Sequence, residues 1–196
     1  MSEIEDKDLM WEEVSRKHIL TDEWIDLRVS RYRFPDGREF EPFYSYSRRD
    51  YVVIVPFDEN GDLICVKQFR QGIKEVTVEF PAGGIERNDG KEYGPRDPEM
   101  REEAYKAAVR ELREETGYES DEWTHLITIP SAPAISDNYA NIYVARNCRK
   151  VSSQELDDTE YLNVLTIKRD KIDEMIEQGR FQQAVHVMAW LMAIRK

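Results

Sequence analysis

The first half of the chain alternates apolar and polar positions with the short period of β-strands. Residues 11–20 and 24–34 are rich in aromatic and branched side chains, and Pro35-Asp36-Gly37 marks a turn between the second run and residues 39–47. Tyr51-Val52-Val53-Ile54-Val55-Pro56 and residues 63–69 flank Asp58-Glu59-Asn60-Gly61-Asp62, in which Asn60-Gly61 is the strongest hairpin signal of the chain. Residues 76–80 read as a further short strand that ends at Pro81-Ala82-Gly83-Gly84. Residues 85–97 carry charge, glycine and proline and read as a loop.

The period then lengthens. Asp97-Pro98 places an acceptor side chain at a cap and proline at the first helical position, and Gly117 is a stop signal. The spacing predicts a helix over 98–116 with Ala104, Ala107, Ala108 and Leu112 near one face. Strand-like stretches at 126–129 and 141–146 follow, then an acidic loop at 152–160 and a strand at 161–165. A helix over 168–178 keeps Ile172, Met175 and Ile176 on one side and stops at Gly179. The last helix, over 182–195, is apolar nearly all round, which predicts burial. This order of elements implies an α+β fold: a mixed sheet between helices, preceded by a small antiparallel β unit in residues 1–50, with the main domain in 51–196.

Composition narrows the function classes. Hydrophobic residues make up 40% and charged residues 35%, interleaved, so the chain is globular rather than disordered. A net charge of −12 argues against a nucleic-acid or anionic-membrane partner, which needs a basic surface, but leaves room for a nucleotide substrate bridged by a divalent cation. Cys65 and Cys148 lie in apolar strand-like runs and read as buried free thiols of a cytoplasmic protein. The opening residues lack an apolar signal core, and the longest apolar stretch, 184–194, is too short to span a bilayer. His18, His125 and His186 have no metal-ligand spacing and read as structural.

The run that carries chemistry is Arg110-Glu111-Leu112-Arg113-Glu114-Glu115-Thr116-Gly117-Tyr118. On a helix Glu111, Glu114 and Glu115 fall at i, i+3 and i+4, so three carboxylates share one face, expected to line solvent. Like charges at that spacing repel, and a helix C-terminus favours cations, so the arrangement is unfavourable until a divalent cation is bound. Magnesium takes hard oxygen ligands, a few carboxylates together with water and substrate phosphate oxygens.

This run resembles the box of the Nudix hydrolases, a glycine, five residues, a glutamate, seven residues, then Arg-Glu-apolar-x-Glu-Glu-x-Gly-apolar. Glu102, Arg110, Glu111, Leu112, Glu114, Glu115, Gly117 and Tyr118 fit its second half at every position. The first half departs: the box glycine position is Arg96, and the better candidate, Gly83, has 18 residues between it and Glu102 rather than five, an insertion of 13 within about 87–100. Val66-Lys67-Gln68-Phe69-Arg70 with Glu79-Phe80-Pro81-Ala82-Gly83 looks like the strand–loop pair of the ADP-ribose pyrophosphatases. The subfamily's proline 16 residues beyond the box glycine matches Pro133, within Ala132-Pro133-Ala134 where the usual motif is Ser-Pro-Gly.

The resemblance implies a Nudix-type α/β/α sandwich and hydrolysis of a nucleoside diphosphate linked to another group, with Mg²⁺ (or Mn²⁺) as cofactor. It implies Glu111 and Glu115 as metal ligands together with the carbonyl of Ala82, Glu114 and Arg110 in support, and Arg70 and Pro133 on the substrate. ADP-ribose is the first substrate; another nucleotide sugar such as GDP-mannose, or a domain that only senses a nucleotide, are the alternatives. The catalytic base is expected in loop 152–160, among Glu155, Asp157, Asp158 and Glu160. Glu155 stands slightly ahead because it lies away from the strand edge. In the resembling enzymes the N-terminal unit pairs across a homodimer and its aromatics hold adenine. Phe40, Phe43, Tyr44 and Tyr46 are the corresponding aromatics here, and Arg48 or Arg49 could meet phosphate; Phe43 and Arg49 are taken as the candidates.

Overall fold

The computed structural model describes residues 5–22, 24–87 and 102–195. A short 3-10 turn (Asp6–Leu9) leads into β1 (Glu12–Thr21), β2 (Asp26–Arg33) and β3 (Glu39–Ser47), an antiparallel sheet of its own in the order β1-β2-β3. The second sheet contains β4 (Tyr51–Asp58), β5 (Leu63–Arg70), β6 (Glu75–Glu79) and β7 (Ala82–Gly84) from the part before α1 (Ala104–Thr116). After that helix come β8 (Tyr118–Glu119), β9 (Glu122–Pro130), β10 (Tyr139–Lys150), β11 (Leu162–Ile167), α2 (Lys171–Glu177) and α3 (Ala184–Ala193).

The central path of the large sheet runs β11-β5-β4-β10-β8, with β6 on β5, β7 on β4 and β9 on β10. β4 and β10 run parallel and the other pairings are antiparallel, so the sheet is mixed, as the sequence implied. β4 is buried from Val52 to Phe57 because helices cover both faces. Val53, Val55 and Phe57 pack with Phe181, Ala189 and Trp190 on the side of α3. Val52 and Ile54 pack with Ala107, Ala108 and Leu112 of α1 on the other. Full burial of a branched or aromatic side chain contributes roughly 1.5–3 kcal/mol, so these two layers supply much of the driving force for the α/β/α sandwich.

Several elements differ from the sequence expectation. The helix expected over 98–116 begins at Ala104, where Glu103 is still extended, and its expected cap at Asp97-Pro98 lies outside the described residues, as does most of the insertion. The corner at Pro81 is not a plain turn: Ala82, Gly83 and Gly84 pair with Val53, Val52 and Tyr51. β9 and β10 are longer than their apolar cores because exposed Glu122, Thr124 and His125 still join the β10 ladder, across a register shift at Ile142/Tyr143. The Asn60-Gly61 hairpin forms as expected, with Gly61 at φ +79° and Asp58 Oδ1 accepting from the Asn60 and Asp62 amides.

The small sheet joins the large unit through loop 131–138. The Tyr46 amide donates to the Ile135 carbonyl at 2.8 Å, and both Ser47 Oγ and Arg28 Nη2 donate to Asp137 Oδ2, at 2.5 and 3.2 Å. Cys65 and Cys148 are buried free thiols. Among the described residues no helix is long and apolar enough to cross a membrane.

Candidate active site

The acidic face of α1 is turned inward. Glu111 is 6% exposed and Glu115 3%, in place of the solvent-lined face that helical spacing alone suggested. The reason is β7: α1 packs its small residues Ala107 and Ala108 against the sheet and draws the next turns beneath the Ala82–Gly84 strand. Gly83 allows this approach, since a Cβ there would collide with the Glu111 carboxylate. Glu115 Oε2 accepts the Ala82 backbone N–H at 2.9 Å, so helix and strand meet at the residue whose carbonyl was expected to hold metal.

Arg110 holds the face in register. Its Nη1 donates to Glu111 Oε1 and to Glu114 Oε2, both at 2.8 Å, and its Nη2 donates to the Gly84 carbonyl at 3.0 Å and to Glu102 Oε2 at 3.1 Å. One planar guanidinium thereby joins two turns of α1, Glu102 ahead of the helix and the β7 strand. The Glu114 side chain is the most exposed of the three acids and pairs with Arg110.

One cation does not neutralise the cluster. Burial pushes the Glu111 carboxyl up to about 7, with Arg110 pulling down and Glu114 and Glu160 pushing further up. Burial also carries Glu115 well above the ordinary range, reinforced by Glu111 and Glu160, against the Ala82 N–H and Arg70. Two buried carboxylates that repel each other are a donor set suited to a hard divalent cation. Among the described residues no three His, Cys, Asp or Glu side chains converge as a metal cluster.

The loop after β10 is fastened to the end of α1. Gly117 takes the left-handed conformation at φ +74°, and a Cβ there would collide with the Ser152 carbonyl. The Val151 and Ser152 amides donate to Gly117 O, Gln154 Nε2 donates to Glu115 O, and the Glu155 amide donates to Glu114 O at 2.9 Å. The open carbonyls of the helix end are satisfied in this way. Glu155 meets the site through its backbone, with its residue exposed to solvent, whereas Glu160 is the loop carboxylate in the field of both Glu111 and Glu115. Glu160 Oε2 accepts the Asp157 amide at 3.1 Å, which orients it.

Arg70 is present at the site but not loose. Its Nε and Nη2 grip Glu79, at 3.0 and 2.5 Å, and Glu79 is fully buried and also accepts from Thr77 Oγ1. Burial alone would lower the Arg70 guanidinium; the pairing with Glu79 outweighs it and raises it. Arg49 lies across the other end of the corner, with its Cδ 3.0 Å from where a Gly84 Cβ would stand. Nearby, Tyr51 Oη and Ser131 Oγ share a hydrogen bond of 2.9 Å, a link that the sequence pattern does not reveal. Pro133 is exposed in loop 131–138. Phe43 is half-buried in an aromatic group on the small sheet, with ring partners Trp11, Tyr32, Phe34 and Phe40 at 4.5–6.3 Å spacings within the group.

The model of the NUDIX domain matches residues 47–183. The chain is 26% identical over 185 residues to an ADP-ribose pyrophosphatase of Bacillus subtilis (strain 168), covering 91% of this chain and 89% of that protein. It is 28% identical over 178 residues to the ADP compounds hydrolase NudE of Escherichia coli (strain K12), covering 91% and 86%. A crystal structure of an ADP compounds hydrolase superposes with a TM-score of 0.78 at 23% identity, over 94% of this chain and 92% of that one. The matched span contains β4 to β7, α1 and the loop with Glu160, and the chain belongs to the Nudix family as a Nudix pyrophosphohydrolase.

Proposed function

We propose that the protein hydrolyses ADP-ribose to AMP and ribose 5-phosphate with Mg²⁺ (or Mn²⁺). The observation that carries this reading is the buried, mutually repelling pair Glu111–Glu115 set against the Ala82 corner. A bound divalent cation would lower the pKa of water and offset the charge that develops on the phosphoryl oxygens. Glu111, Glu115 and the Ala82 carbonyl are the residues to hold it. Arg110 keeps Glu111 and Glu114 in place as a positioning residue. Arg70, pre-oriented by Glu79, presents its remaining donors to the diphosphate, and Arg49 and Pro133 line the substrate side.

Glu160 is the general base of this proposal. It shares the field of the two buried acids, and the start of its loop is tied to the end of α1. A carboxylate so placed accepts a proton from the attacking water as the bond to phosphorus forms.

Residues 1–50 serve as a dimerising and base-stacking unit and 51–196 as the hydrolytic unit. Trp11, Trp24 and Phe40 are each at least half exposed in one chain, an apolar surface that a second copy would cover. A base docked at Phe43 would lie against the aromatic group as a whole. The reading includes a cytoplasmic location, on the strength of the two buried free thiols.

The test is a panel of nucleoside diphosphate compounds, including ADP-ribose, GDP-mannose and a dinucleoside polyphosphate, turned over with Mg²⁺ and read by chromatography. The expected result is ADP-ribose first by kcat/KM, with AMP and ribose 5-phosphate as products. Preference for another compound by more than about tenfold, about 1.4 kcal/mol in transition-state binding, removes the ADP-ribose assignment.

A further inference from the structure

Behind the Glu79–Ala82 corner, on the α3 side of the sheet, lies a histidine with no part in the chemistry above. His186 is 1% exposed. Its Nδ1 accepts the Phe80 backbone N–H at 3.0 Å. Its ring lies parallel to the Phe80 ring, with 7° between planes and centroids 6.3 Å apart, and Phe181 packs against the same phenyl ring at 4.9 Å.

The Phe80 amide needs that acceptor. β6 ends at Glu79, so the β5–β6 ladder stops one residue short of it, and Pro81 follows. A buried backbone N–H left without a partner is costly, and the chain supplies one from 106 residues away. The acceptor role requires a neutral ring with its proton on Nε2. Burial holds the imidazole down to about 4. Its place in the first turn of α3, capped by Gln183 Oε1 on the Val185 and His186 amides, also disfavours a cation.

The corner is thus fastened from three sides. The Pro81 carbonyl accepts from the Ile54 amide of β4 at 3.0 Å, the Ala82 amide donates to Glu115 of α1, and the Phe80 amide donates to His186 of α3. The geometry points to His186 as a positioning residue of the hydrolytic site: by holding the Phe80 peptide it sets Ala82 against Glu115, where the metal is to be held. It acts through the backbone and touches neither substrate nor metal. The inference rests on the metal site proposed above. A histidine that only completed the core would contribute to stability alone; a positioning histidine also sets metal affinity.

The test uses the whole protein and Mn²⁺ alone as probe, with affinity read by calorimetry, beside kcat and KM for ADP-ribose and a thermal melt. His186→Leu keeps the volume and removes the acceptor; His186→Asn keeps an acceptor near the Nδ1 position. His186→Leu is expected to weaken Mn²⁺ about tenfold or more, the usual range for a residue that orients a metal ligand, and to lower kcat with little change in KM. His186→Asn is expected to recover most of both. Equal Mn²⁺ affinity in wild type and a folded His186→Leu overturns the positioning role and leaves the metal site standing, whereas a wild type that binds no Mn²⁺ overturns both. Should His186→Leu not fold, nitrogen NMR of the wild type decides. Mg²⁺ binding is expected to shift the His186 Nδ1 and Phe80 amide signals, and unmoved signals while Mg²⁺ binds elsewhere in the spectrum overturn the role.

Discussion

The two sheets of this protein bury opposite kinds of side chain. In the large sheet the interior is apolar on both faces of β4, and the buried carboxylates are Glu111 and Glu115, where α1 meets β7, and Glu79 at the end of β6. In the small sheet the buried residues of β2 and β3 are Asp26, Arg28, Ser30 and Ser47, while Trp11, Ile19, Leu20 and Trp24 face outward. Among the described residues every buried hydrophobic lies between Val52 and Ala193. The large unit therefore has an apolar core of its own, and its few buried carboxylates include the pair proposed above to hold the metal. The small sheet spends buried polar side chains on docking, through Arg28 and Ser47 to Asp137, and leaves Trp11, Ile19, Leu20 and Trp24 exposed in one chain. A three-stranded sheet without a core of its own is marginal, so its covering surface is part of its stability.

The sharpest way to break the comparison is to discharge the buried pair. Glu115→Gln removes a metal ligand and should lower kcat/KM for ADP-ribose by about 100-fold or more. The fold is expected to survive, because the amide relieves the repulsion with Glu111 and still accepts the Ala82 N–H. A melt of the metal-free variant at pH 8 should therefore lie at or above that of wild type.

Arg70→Ala tests the substrate side of the same corner. It removes a charged hydrogen bond to the diphosphate, a loss of about 1.5–3 kcal/mol, or roughly 10- to 150-fold in kcat/KM. The same change leaves Glu79 buried and unpaired, so a lower melting temperature should accompany it. Unchanged ADP-ribose hydrolysis would exclude Arg70 from the substrate site.

The small sheet offers the complementary test. Replacing Leu20 and Trp24 together with serine should change stability by no more than about 0.5 kcal/mol if they stay in water. If a second copy covers them, the loss is about 2–3 kcal/mol and the dimer dissociates in light scattering at micromolar concentration. The covered outcome is expected, with a melting temperature that rises with protein concentration in wild type.

The smallest effect is on pH. Glu111 sits at about 7, and burial and the neighbouring Glu111 hold Glu115 well above the ordinary carboxyl range. A carboxyl raised in the folded state adds stability that is full below about 4.5 and is lost as pH rises through the folded value. Metal-free protein should therefore lose on the order of 2 kcal/mol between about pH 4.5 and 7, beyond what exposed groups contribute. Added Mg²⁺ should raise the melting temperature more at pH 8 than at pH 5.

What could be read from the sequence was local. The spacing of Glu111, Glu114 and Glu115, the stop at Gly117 and the Asn60-Gly61 hairpin each follow from a few consecutive residues, and each is found in place. The start of α1 was not legible, since a favourable cap pair at Asp97-Pro98 does not force a helix through Glu103. Nor was the depth of the acidic face, which depends on Gly83 lying beneath Glu111 across the fold. The sequence ranked the loop acids only by distance from the strand edge, which put Glu155 slightly ahead; the exposure of Glu155 and the field of Glu160 on Glu111 and Glu115 are what favour Glu160 in the proposal above. His186 offered no signal at all, because its partner is a backbone amide on a distant strand.

Turnover of ADP-ribose by the wild type, followed while chelator is added in excess and Mg²⁺ is then restored, tests most directly that the buried Glu111–Glu115 pair works as a metal site. The expected result is loss of activity to the level of Glu115→Gln and full recovery with Mg²⁺. Hydrolysis that continues at the wild-type rate in excess chelator would contradict it.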